Sequence, residues 1–182
     1  MRGEGGSGVV GFVEHDHDGC VSRALDEADA HCARTGLRFT KVRRRTLEIL
    51  LESHTALGAY EVLARLERDG LGSQPPLAYR AIAFLVDNGF VHRVERLNAF
   101  VACARPGTRH DPAFMICTGC RAVAETSALP GRGALGRTAR ASGFRIARTV
   151  LEAEGLCPDC QLDDAAGDGA GPGRGGPEAR GA

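Results

Sequence analysis

The sequence predicts an α+β chain of two small units, on three observations. Four stretches with apolar residues at helical spacing occupy residues 22 to 88, two short β-type runs follow directly, and two Cys-x-x-Cys pairs bracket a mixed region beyond them. Helices leading into a two-stranded hairpin give the order of a winged helix-turn-helix, placed at 22–102. Residues 103–163 alternate strand and helix signals between the cysteine pairs and read as a small α/β unit. Residues 1–21 read as a flexible, acidic, His-containing leader, and 164–182 as a disordered Gly/Pro-rich tail.

Each element carries a local signal. Val21, Leu25, Ala28 and Cys32 predict a helix over 22–35, ended by Gly36. Thr40 predicts the N-cap of a second helix that buries Val42, Thr46, Leu47, Ile49 and Leu50. A third, over 59–68, uses Val62, Leu63 and Leu66. Pro75-Pro76 suits the start of a fourth, because proline needs no amide donor there. Ala78, Ile82, Leu85 and Val86 face its core side, and Gly89 stops it. Strands over 90–95 and 99–102 meet at a Leu97-Asn98 turn. The second unit reads as strands 113–116 and 122–126, a helix near 130–142, and a strand over 144–152. So thin a unit cannot cover both faces of its sheet, which predicts a homodimer formed through an exposed sheet edge.

The chain has 182 residues, with 23 basic and 23 acidic side chains. Its charge is uneven: residues 1 to 37 carry three basic and seven acidic groups, whereas 38 to 96 carry ten and seven. No apolar run is long enough to span a bilayer and no signal peptide is discernible, so a cytoplasmic protein without membrane partners is expected. Thiols stay reduced in that compartment, and an odd count of seven cysteines rules out complete disulfide pairing.

Metal ligation follows from the cysteines. Cys117-Thr118-Gly119-Cys120 and Cys157-Pro158-Asp159-Cys160 each let a tight turn offer two thiolates to one ion. Two such turns complete the closed tetrahedron of a structural zinc site. His92, Cys103, His110 and Glu125 form a second candidate set, whose mixed donors suit four-coordinate zinc and would bring the count to about two zinc ions per protomer; taken singly, His92 also reads as a partly exposed strand histidine and Cys103 as a small buried hydrophobe. Iron or manganese would more naturally take only nitrogen and oxygen donors. His15, His17 and Cys20, interleaved with Asp16 and Asp18, are a third metal-like cluster, either an auxiliary zinc site or a polar leader. Cys32 reads as a core residue.

The helix over 75–88 is the candidate reader of double-stranded DNA. Its buried stripe leaves Tyr79 and Arg80 near the opposite side, and arginine is the best bidentate partner for guanine in the major groove. Arg38, Lys41, Arg43 and Arg44, within a run of five cations that ends at Arg45, would hold phosphates. No Ser/His/Asp order, phosphate-binding glycine loop or paired-carboxylate cleft is discernible, so neither an enzyme nor a small-molecule substrate is expected. A thiol oxidoreductase would need its Cys-x-x-Cys at a strand-to-helix junction of a βαβ unit, which neither pair occupies.

These motifs carry a resemblance. Ala59-Tyr60-Glu61-Val62-Leu63, Pro75 through Ile82, Gly89 through Glu95, Asn98 through Cys103, His110, Phe114 through Cys117, Cys120, Glu125, Gly155-Leu156-Cys157 and Cys160 resemble the ferric-uptake-regulator family. Within it the chain is most similar to the zinc-uptake branch. The likeness spans about residues 22 to 162. It implies a homodimeric winged-helix repressor that binds operator DNA when zinc is abundant and controls zinc uptake and homeostasis genes. By the same resemblance Cys117, Cys120, Cys157 and Cys160 hold structural zinc, and His92, Cys103, His110 and Glu125 hold regulatory zinc. Tyr60 and Arg80 match DNA-contacting positions. Iron-, manganese- or peroxide-sensing members of the family are the alternative. The chain departs from the family at Leu77-Ala78, where Thr-Val is common, and at Lys41, where proline is usual. Ala64 and Glu67 stand where some relatives carry an Asp and an Arg that pair adjacent dimers.

Overall fold

The computed structural model describes residues 11–12, 16–108, 110–127, 133–147 and 149–167. Helices α1 (His17–Thr35), α2 (Lys41–Leu51), α3 (Ala59–Arg68) and α4 (Pro75–Asp87) are followed by the hairpin β1 (Val91–Val94) and β2 (Ala99–Ala102). Then come β3 (Pro112–Cys117), β4 (Val123–Ser127), α5 (Ala134–Ala141), β5 (Leu151–Gly155) and α6 (Pro158–Gly167). This is the α+β order expected, a winged helix-turn-helix followed by a small α/β unit.

Local chemistry sets the boundaries. The Thr40 hydroxyl accepts from the Arg43 amide at 3.4 Å and caps α2. Two prolines open α4, and Gly89, at φ 74°, turns the chain out of it in a conformation that costs a side-chain-bearing residue about 1 kcal/mol. Asn98 takes the left-handed position in the hairpin turn. The α2, α3 and α4 stripes meet in a core that includes Leu47, Leu50, Val62, Leu66, Ile82, Leu85 and Phe90.

Three boundaries differ from expectation. Helix α1 begins at His17 rather than 22, because the Asp16 carboxylate accepts from the Gly19 amide at 3.0 Å and caps it. The leader assigned to 1–21 therefore supplies the first turn of a helix, including Cys20. The last strand covers Leu151–Gly155, not 144–152, since its parallel register against β3 (Ala113↔Leu151 to Cys117↔Gly155) decides where it pairs. Helix α6 continues from the second cysteine pair to Gly167, overlapping the start of the tail assigned to 164–182. Pro158 serves there as the first helical residue as well as part of a metal turn.

The three-stranded sheet has the order β4-β3-β5. At one edge the start of β4 is covered: the His54 carbonyl accepts from the Val123 amide at 2.7 Å, and Thr55 bridges Ala122. The outer edge of β5 has no strand partner among the described residues, and Phe144, Val150, Leu151 and Leu156 lie exposed in this region. The two units also share a core. Val94, Ala99 and Val101 of the hairpin pack with Phe114, Ile116 and Val123 of the sheet, and Ala56 joins them.

Thr46 is fully buried in α2, and its hydroxyl has no hydrogen-bond partner. Thr46→Val removes that desolvated oxygen at nearly constant shape. It should raise stability by about 1 kcal/mol, read as a higher urea midpoint at unchanged slope.

Candidate metal centres and nucleic-acid face

Both predicted ligand sets assemble. Each places its four ligand atoms within 4.8 Å of one another. In the cysteine set, β3 ends at Cys117 and β4 begins after Cys120, so one sheet turn supplies the first pair. Cys157 and Cys160 come from the junction of β5 and α6. The Cys120 and Cys157 sulfurs are 3.7 Å apart. Tetrahedral zinc with bonds of about 2.3 Å sets its sulfurs about 3.8 Å apart, so this set fits zinc. Backbone amides of Cys120 (3.5 Å) and Cys157 (3.3 Å) donate to Cys117 Sγ and push its thiol down to about 6. The neighbouring Cys157 and Cys117 sulfurs push Cys160 up to about 12. Gly119 makes the approach possible. A Cβ there would stand 2.9 Å from Cys160 Sγ, closer than real Cβ contacts allow.

The second set joins the two units. His92 lies on β1 and Cys103 just after β2, while His110 precedes β3 and Glu125 lies on β4. His110 Nε2 is 2.7 Å from Glu125 Oε1 and 3.6 Å from Cys103 Sγ, and His92 Nε2 is 3.7 Å from Glu125 Oε2. The Glu125 side chain is only 3 % exposed. Its Oε2 accepts the Ala104 amide at 2.8 Å, and Cys103 Sγ accepts the Arg105 amide at 3.3 Å. His110 Nδ1 lies 2.8 Å from the Thr108 carbonyl, an arrangement that fixes Nδ1 as donor and leaves Nε2 free to ligate.

The fit of this set to a metal rests on one atom. His92 Nε2 is buried and makes no hydrogen bond, although it lies 3.7 Å from Glu125 Oε2 and His92 belongs to the four-ligand group. Burial lowers the His92 pKa against the opposing pull of Glu125, which favours the neutral, ligating imidazole. Burial, then the Glu125 charge, pushes the Cys103 thiol up to about 12, so a metal bound here displaces its proton. A mixed N/S/O set of four converging donors suits zinc.

The third cluster lies only partly within the described residues. His15 lies outside the described residues. His17 packs edge-to-face on His54 at 5.2 Å, and Cys20 Sγ accepts from Arg23 at 3.2 Å. The described residues gather only the two four-ligand groups.

On the helical face, Tyr60 at the start of α3 and Tyr79 on α4 are exposed, with ring centroids 6.4 Å apart. Arg80, which follows Tyr79 in the chain, is exposed, as are Arg38 and Lys41. Arg80 and Phe84 are one helical turn apart, and the Arg43 guanidinium covers the Phe84 ring at 3.5 Å, which places the start of α2 against the Arg80 stripe. Arg43 also donates to the Arg38 carbonyl, and Arg44 pairs with Asp29. These two expected phosphate contacts are thus partly engaged within the fold. Arg45 is bound to Asp69 at 2.6 Å and to Glu48 and Glu52, so it organises the helices instead.

Sequence reasoning missed two residues. Gly119 reads only as a turn former, and its role as a cradle for Cys160 needs the second turn in place. Glu152 accepts two wing amides, described below, and no local pattern marks it.

No family model matches the chain. The zinc uptake regulation protein of Escherichia coli (strain K12) is 35 % identical over 137 residues, 75 % of this chain and 80 % of that protein. The structure of a zinc uptake regulator complexed with zinc and DNA superposes with a TM-score of 0.74 at 34 % identity, covering 80 % of this chain and 97 % of that one. Holo XcZur follows at 0.68 and 34 %, covering 78 % and 99 %. The ferric uptake regulator of Helicobacter pylori, at 17 % identity and a TM-score of 0.51, shares the fold. With its two ligand sets in place at that level of identity, the chain belongs to the ferric-uptake-regulator family, in its zinc-uptake-regulator branch.

Proposed function

We propose that this chain is a zinc-responsive transcriptional repressor that binds operator DNA as a zinc-loaded homodimer and controls zinc uptake and homeostasis genes. The observation that carries the reading is the origin of the second ligand set. His92 belongs to the wing, Cys103 and His110 to the connection, and Glu125 to the sheet. These four meet only when the two units hold one relative orientation. Ligand-dependent stabilisation of one orientation is what a switch requires, because only differential affinity for two states shifts their populations. The relative complexed with zinc and DNA superposes over nearly its whole length, which supports this orientation as the DNA-competent one.

Bound zinc would supply a divalent centre that neutralises the Glu125 and Cys103 charges. The protein's own residues do the rest. Glu125 orients His110 and the Ala104 amide, and Thr108 fixes the His110 tautomer. The presence of a thiolate donor, with 35 % identity to a zinc uptake regulator, favours zinc over an iron-, manganese- or peroxide-sensing role. The cysteine set fastens β3, β4 and α6 and contributes folding free energy on the order of 10 kcal/mol, as structural zinc does elsewhere.

On DNA, α4 enters the major groove with Tyr79 and Arg80 at its exposed start, and Tyr60, Arg38 and Lys41 reach the flanking phosphates. Two copies join through the open β5 edge and its exposed apolar side chains, placing their α4 helices on successive half-sites. The reading includes no catalytic activity. No helix among the described residues is long and apolar enough to cross a membrane.

Three outcomes test this. Cys103→Ser should leave one tight zinc per protomer but lose zinc-dependent operator binding by about a hundredfold or more, read by fluorescence anisotropy across buffered free zinc. Operator affinity equal to wild type would sink the reading. Arg80→Ala should weaken operator binding by roughly 10- to 100-fold at saturating zinc, with relaxed preference at one base pair. Gly119→Ala should make the cysteine site release its metal to a chelator faster and lower the thermal midpoint, because its Cβ displaces Cys160 Sγ.

A further inference from the structure

A second carboxylate holds the wing at its other end. The Glu95 amide donates to Glu152 Oε1 at 2.7 Å, and the Arg96 amide donates to Glu152 Oε2 at 2.8 Å. One side chain of β5 thereby binds two successive backbone N–H groups where β1 runs into the hairpin turn. Arg96 Nε lies 3.1 Å from Glu154 Oε2 of the same strand. Charged acceptors form the stronger kind of hydrogen bond, and two from one rigid carboxylate fix direction as well as distance.

The sheet register shows why this matters. Phe114 of β3 is the register partner of Glu125 on β4 and of Glu152 on β5. Register partners project from one face, so Glu125, Phe114 and Glu152 form a row across all three strands, facing the wing. The His92 ring lies 5.8 Å from Phe114 and meets Glu125, while the residues just past the end of β1 meet Glu152. The row touches β1 near both ends, through the metal set at one and through a metal-independent clamp at the other.

We infer that Glu152 is a positioning residue that presets the wing in the orientation the His92–Cys103–His110–Glu125 set needs. It thereby raises zinc affinity at a site it does not ligate. The inference rests on the regulatory role proposed above. Because the clamp and the metal favour the same arrangement, losing one weakens the other by the same factor.

The test compares Glu152→Ala, Glu152→Gln and Arg96→Ala in the full chain. Wild type should hold two zinc ions per protomer. In Glu152→Ala the cysteine-site zinc should remain, while affinity for the second zinc, from competition with a fluorescent chelator, falls about tenfold or more, the effect of losing two solvent-accessible hydrogen bonds to a charged group. Glu152→Gln, which can still accept one amide, should fall between. Arg96→Ala should match wild type, since the clamp grips the backbone and not that side chain. In protein with the second site empty, the Glu95 and Arg96 amides should exchange with deuterium faster in Glu152→Ala than in wild type. Wild type with two zinc ions and Glu152→Ala with unchanged affinity for the second would overturn the inference alone. Equal amide exchange in the two proteins would do the same. A wild-type chain that takes no second zinc would overturn the regulatory reading and the inference with it.

Discussion

Glu125 is a carboxylate with almost no access to water, and the arrangement of the molecule follows from what compensates it. A buried charge is costly unless paired and hydrogen-bonded. Here the compensation comes from the connection, through His110 and the Ala104 amide, while the His92 imidazole of the wing lies 3.7 Å away without a hydrogen bond. Losing either hydrogen-bonding partner would leave the buried carboxylate undercompensated. The wing and the sheet, each too small to enclose a core alone, therefore meet at a polar centre surrounded by Val94, Val101, Phe114 and Val123. Metal chemistry is placed where the fold already demands a closed contact.

The face proposed to meet DNA is built on a different balance. Of the five cations at the start of α2, Arg43, Arg44 and Arg45 are engaged by Phe84, Asp29 and the Asp69/Glu48/Glu52 group. Exposed pairs of this kind contribute little to stability, about 1 kcal/mol at most. Their effect is geometric: they lock α2 against α1, α3 and α4 so that Tyr60, Tyr79 and Arg80 form one face. A chain with no net charge can thus carry a local basic surface, because its acidic residues are used to position some cations while others stay free.

Much of this is legible in the sequence, for physical reasons. Thr40, Pro75 and Gly89 act through short-range hydrogen bonding and backbone restriction, so their helix boundaries can be read locally. The two ligand sets can be read because metal chemistry admits few residue types. What escapes is tertiary. Asp16 caps α1 from within a His-Asp run that resembles a metal tract, and β5 is placed by its pairing with β3 rather than by its own pattern. Pro158 opens a helix while serving a metal turn. Glu152 carries no signature at all, since its partners are backbone amides some 56 residues away, brought close only by the strand register.

The unequal edges of the sheet limit what the molecule can build. With His54 and Thr55 covering the start of β4, the fully unpaired edge among the described residues is that of β5. An edge that pairs with its own copy across a two-fold axis is used up on both sides at once. Pairing of β5 with its own copy therefore closes at two chains and leaves neither β5 edge free to propagate. A strand paired in this way no longer offers the template through which open strands invite aggregation.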